Sequence, residues 1–145
     1  MKLVIDTNVL FTFFWKASLI HDILILPIHF ISSEYALTEI THHKQEIIKK
    51  AKLSSQAFQQ KIEQLAYSVE FVSLSAYESY LKQASQLMKK TDQKQYQAFS
   101  KDIDFYTLAL STDAPIWTND RLFKQQETIM VFTTKEIIKL CRHLR

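Results

Sequence analysis

Near the start of the sequence, Val4-Ile5-Asp6-Thr7-Asn8-Val9-Leu10 places a carboxylate, a hydroxyl and an amide between two apolar runs. Three adjacent polar side chains in such a setting need a turn, a partner or a ligand. An apolar strand that breaks into polar residues and resumes as an apolar helix has the form of a strand-to-helix turn in an α/β domain.

Working outward from that turn, short apolar runs alternate with longer amphipathic ones. Strands are expected at residues 2–5, 29–32, 69–73, 115–118 and 129–132. Helices are expected at 10–15, 18–26, 33–51, 54–67, 75–90, 102–111, 120–125 and 134–143. This order predicts an α/β fold with a mainly parallel sheet, and 145 residues fit one domain, 1–145. Ser75 with Glu78, and Thr133 with Glu136, have capping-box spacing; Ser32 or Ser33 and Ser54 are single-cap candidates. The Gln- and Lys-rich stretch 85–101 is expected to be the least regular part.

Composition removes several function classes. The chain has no glycine, where average usage of about 7% would give roughly ten. Phosphate-binding loops, the dinucleotide fingerprint and the Gly-x-Ser-x-Gly nucleophile elbow are therefore absent. If phosphates are handled, side chains and metal ions must do it. The one cysteine cannot form an internal disulfide, and no export signal precedes Asp6, so a cytoplasmic location is expected. Cys141 falls on the stripe Ile137, Leu140, Cys141, Leu144 and is expected to be a buried thiol. The apolar stretch 17–31 contains His21, Asp22, Pro27 and His29 and is too short and polar to span a membrane. A net charge of +3 is compatible with a nucleic-acid partner, with basic residues at Lys82, Lys89, Lys90, Lys94 and Lys101 and again in 135–145.

Ligands in an open parallel sheet bind beyond the carboxyl ends of the strands. Asp6 follows the first strand, and Asp120 follows Ile116-Trp117-Thr118-Asn119, so two strands deliver a carboxylate to one edge. Glu39 and Asp104 lie in helical stretches with apolar surroundings, Tyr35-Ala36-Leu37-Thr38-Glu39-Ile40 and Asp102-Ile103-Asp104-Phe105-Tyr106. Asp104 has only Lys101 close in sequence and Asp6 only Lys2, too few cations to offset converging acids. Such a set raises the affinity for a divalent cation, and its oxygen donors favour Mg²⁺ or Mn²⁺ over Zn²⁺.

These segments resemble, in order and spacing, the PIN-domain nucleases, whose bacterial and archaeal branch includes the VapC toxins of toxin–antitoxin pairs. The resemblance rests on Val4 to Leu10, Ser33 to Ile40, Asp102 to Leu110 and Ala114 to Asp120. It implies a Rossmann-like three-layer α/β/α sandwich and an acidic Mg²⁺ or Mn²⁺ pocket formed by Asp6, Glu39, Asp104 and Asp120. Asp102 competes with Asp104 for the third position. Thr7, Asn8, Thr118 and Asn119 match the polar positions that support such a pocket by hydrogen bonds. Many toxin members carry another acid where this chain has Leu122 and Phe123.

The function implied is metal-dependent endoribonuclease activity on RNA, with an antitoxin protein as partner; the apolar first helix separately leads to the expectation of a homodimer. Arg121 and Lys124 are candidates for contact with substrate phosphate. Phe13, Phe14, Trp15 and Tyr96 are candidate base platforms, although so apolar a first helix fits core or dimer interface better. The alternative is a catalytically silent PIN-like module that binds RNA or protein. A di-iron site from Glu39-x-x-His42 lacks its second pair, and an aspartyl-phosphate enzyme at Asp6 lacks a second Asp, since position 8 is Asn.

Overall fold

The strand formed by Leu3, Val4 and Ile5 lies at the centre of a five-stranded sheet, and each of these side chains is 1% exposed or less. The computed structural model describes residues 1–89 and 102–144. The strands are β1 (Lys2–Ile5), β2 (His29–Ser33), β3 (Val69–Val72), β4 (Ile116–Trp117) and β5 (Val131–Phe132). Their order is β3-β2-β1-β4-β5, every pairing is parallel, and helices cover both sides. A strand covered on both faces reads as a continuous apolar run, which is why β1 shows no alternation. The register pairs Val4 with Ile31 on one side and with Ile116 on the other.

The helices are α1 (Thr7–Phe11), α2 (Ile20–Leu24), α3 (Glu34–His42), α4 (Lys44–Ala51), α5 (Ser55–Ser68), α6 (Leu74–Tyr77), α7 (Leu81–Lys89), α8 (Ile103–Thr112) and α9 (Thr134–Leu144). Short 3₁₀ turns occupy Thr12–Phe14, Glu78–Tyr80 and Arg121–Gln125. Helix α8 packs on β1, β2 and β4, and α6, α7 and the turn between them pack on α8. Residues Phe105 to Ala109 of α8 are all buried as a result, which explains their mostly apolar sequence; the one aliphatic hydroxyl, Thr107, is satisfied by the Ile103 carbonyl at 2.6 Å.

Several expected elements are divided. The long helix 33–51 breaks at His43, whose backbone leaves helical geometry, and 75–90 begins as α6, passes through a 3₁₀ turn and resumes as α7. Position 90 and the rest of the Gln- and Lys-rich stretch, including Lys94, Tyr96 and Lys101, lie outside the described residues. Segment 120–125 forms a 3₁₀ turn rather than an α-helix. The Thr133–Glu136 capping box forms in both directions, at 3.1 and 3.3 Å. The box expected from Ser75 does not: α6 starts one residue earlier and the Ser75 hydroxyl pairs with Ser73. Ser33 and Ser54 cap α3 and α5.

The terminal stripe is rotated from the expected one: Ile137 is buried, Ile138 and Cys141 are partly buried, and Leu140 is exposed. Phe13 and Phe14 are enclosed in the chain's own core, with Phe14 stacked on Phe58, so neither offers a face to a base. Among the described residues no helix is long and apolar enough to cross a membrane.

Candidate active site

Asp6 is the residue directly after β1, and its extended backbone ends the strand and begins α1. Its Oδ1 accepts the Val9 amide at 2.8 Å, so the carboxylate is the N-cap of α1. Its Oδ2 accepts a hydrogen bond from the Thr118 hydroxyl, which reaches it from the end of the neighbouring strand β4. The Thr118 oxygen in turn accepts the Asp120 amide at 3.1 Å. One threonine therefore ties the two strand-end acids into a single unit.

The electrostatics of that unit are unfavourable to charge. Asp6 is 5% exposed, and burial raises its pKa from 3.8 to about 6, with the Asp120 charge adding to the rise. Hydrogen bonds from Thr118, Val9 and the Asn8 backbone oppose it without cancelling it. Among the described residues no Lys, Arg or His forms a salt bridge with Asp6. The Thr7 hydroxyl beside it is buried with no hydrogen-bond partner.

Glu39 and Asp104 reach the same edge on helices. Helix α3 leaves the end of β2, where the fully buried Ser32 hydroxyl bonds the Ile5 carbonyl at 2.7 Å and locks the two strand ends together. Glu39 lies about one and a half turns into α3. Helix α8 runs back against β4 before entering it, so its first turn, with Asp104, lies at the carboxyl end of the sheet. Both acids are half-buried. Asp104 Oδ1 accepts the Tyr77 hydroxyl at 2.9 Å. Glu39 hydrogen-bonds the Tyr35 hydroxyl, and the charges of Glu39, Asp104 and Asp102 together raise the pKa of that phenol.

The four acids thus stand as two pairs, Asp6 with Asp120 and Glu39 with Asp104. Among the described residues no three Asp, Glu, His or Cys side chains gather at metal-ligand spacing. In kind, the donors fit a hard divalent cation: among the described residues they are carboxylates and hydroxyls without sulfur or imidazole, around a buried acid with no salt-bridge partner.

The remaining expected residues are dispersed. Asn8 is exposed. Asn119 accepts the Thr134 amide at 2.9 Å and so anchors α9 rather than the acids. Lys124 is held in an ion pair with Glu136, whereas Arg121 is exposed. Phe123 is 1% exposed and fills the core. The cavity of about 280 Å³ lined by Phe11, Trp15, His43, Glu46, Ile47 and Lys50 contains none of the four acids.

Sequence reasoning missed Tyr35 and Tyr77. Tyr35 had a readable signal, since it precedes Glu39 by four residues on one helix and so shares its face. Tyr77 had none, because it meets Asp104 across 27 positions.

A family model described as PIN domain matches residues 4–138. The chain belongs to the PIN-domain family. Its fold matches a chain in the crystal structure of VapBC2 from Rickettsia felis bound to a DNA fragment from their promoter. That match has a TM-score of 0.70 at 18% identity and covers 92% of this chain and 98% of the other. No curated protein matches the sequence. Both findings agree with a PIN-domain chain of VapC-like fold, and the Rossmann-like sandwich expected from the sequence is the one observed.

Proposed function

We propose that this chain is a divalent-metal-dependent endoribonuclease that hydrolyses RNA phosphodiester bonds at the edge formed by Asp6, Glu39, Asp104 and Asp120. The observation that carries the reading is Asp6: a buried carboxylate beside the charge of Asp120, with hydroxyl and amide donors but, among the described residues, no cation in a salt bridge with it. Such a group is comfortable only when protonated or next to a positive ion. Mg²⁺ or Mn²⁺, when bound, supplies an activated water and offsets charge on the phosphate being cleaved.

The chain's own residues divide the remaining work. Asp6 and Asp120 hold the ion from the strand ends, and Asp104 and Glu39 from the helices. Thr118 and the first turn of α1 each fix one Asp6 oxygen. Arg121, exposed just after Asp120, contacts the substrate phosphate; Lys124 is drawn away to Glu136. RNA as the substrate and an antitoxin partner come from the family resemblance, a cytoplasmic location from the single cysteine and a homodimer from the apolar first helix, with residues 1–145 acting as one domain. The fold shared with a VapBC2 chain supports the toxin reading.

Incubating the protein with total RNA and Mg²⁺ or Mn²⁺, with EDTA as control, tests the activity. Metal-dependent cleavage is expected, and intact RNA under every condition would remove the reading. The absence of a three-donor cluster among the described residues favours the second reading, a silent PIN-like module that binds RNA or protein. That module would retain RNA in a filter-binding assay without cutting it.

A further inference from the structure

Tyr77 is 1% exposed, yet it carries a hydroxyl into the interior at the end of α6. A buried phenol left without an acceptor keeps the cost of its lost hydration, so its partner is a structural requirement. That partner is Asp104 Oδ1, 2.9 Å away. The contact joins two layers: α6 and the turn after it pack on the outer side of α8, while Asp104 belongs to the first turn of α8 at the sheet edge. The same phenol meets the side chain of Ser33, the residue that ends β2 and caps the helix bearing Glu39. Tyr77 therefore touches the supports of both helix-borne acids.

We propose that Tyr77 is a positioning residue for Asp104: its hydroxyl fixes one carboxylate oxygen and leaves the other for a divalent cation. This rests on the metal-dependent reading above. Phenylalanine would have been enough to fill the core at position 77, and among the described residues it is the Tyr77 hydroxyl that hydrogen-bonds the Asp104 carboxylate. A neutral donor suits this role, because a Lys or Arg in its place would compete with the cation for the carboxylate.

The test is calorimetric titration of Mn²⁺ into the full chain as wild type, Tyr77→Phe, Asp104→Asn and the double variant, with thermal unfolding of each. Wild-type binding, about tenfold weaker binding by Tyr77→Phe, and a double variant no weaker than Asp104→Asn alone are expected. Undiminished binding by Tyr77→Phe, or a further tenfold loss in the double variant, would overturn the proposal. Failure of the wild type to bind Mn²⁺ would instead remove the metal reading beneath it. Should Tyr77→Phe not fold, the wild-type crystal structure with Mn²⁺ decides. Tyr77 bonded to one Asp104 oxygen with the ion on the other supports positioning; an Asp104 turned away from Tyr77 overturns it.

Discussion

Asp6 and Asp120 leave the ends of adjacent strands and are joined by one threonine, whereas Glu39 and Asp104 ride on helices and are each met by a tyrosine hydroxyl. The first pair is the less comfortable. Burial and mutual repulsion lift Asp6 to about 6. The helical pair is half-buried, and its phenols supply donors without bringing positive charge. On the metal-dependent reading proposed above, a site that attracts a cation and still folds without one is divided between the two pairs. The strand ends supply the electrostatic demand, and the helices supply acids held in place.

This comparison ranks the expected effects of substitution. Asp6→Asn should lower Mn²⁺-dependent RNA cleavage by at least ~100-fold, and Glu39→Gln by about tenfold, measured as initial rates on one single-stranded substrate. Equal losses would erase the distinction between the pairs. Thr118→Val removes the hydroxyl that orients Asp6 and should reduce cleavage by about tenfold or more, with Thr118→Ser restoring most of it. Failure of serine to rescue would assign Thr118 to packing.

Stability against pH probes the same contrast. Because the folded pKa of Asp6 lies above its ordinary value of 3.8, the native state holds that proton more tightly than the unfolded chain. The associated stability is full below about pH 4 and is lost as pH rises through about 6. Asp6→Asn should therefore stabilise the metal-free protein at pH 7.5, by up to about 3 kcal/mol for a shift of roughly two units, and not at pH 3.5. Denaturant melts at the two pH values check the sign. The smallest effect is expected at the periphery. Lys124→Ala breaks an exposed ion pair with Glu136 and should cost less than about 1 kcal/mol, leaving cleavage unchanged.

The strand-end pair was legible in the sequence because its logic is local. An apolar run that ends in Asp6, and another that ends in Thr118-Asn119-Asp120, place acids where parallel sheets bind ligands. The five strands were legible for the same reason, each being a short run built mainly on β-branched and aromatic residues, although Glu70 interrupts β3. The furnishing of the helical pair was not. In sequence, Lys101 is the one cation close to Asp104, whereas the partner seen among the described residues, Tyr77, is brought in by the packing of α6 on α8. The break at His43 and the rotated stripe of α9 were hidden likewise. Helical periodicity does not record where a neighbouring element turns the helix or interrupts it.

The most direct measurement is anomalous diffraction at the manganese edge from crystals soaked in Mn²⁺. The account predicts a peak bonded to the carboxylate of Asp6, with Asp120 beside it. Manganese bound away from Asp6, or no peak in a protein that cleaves RNA with the same Mn²⁺, would contradict it.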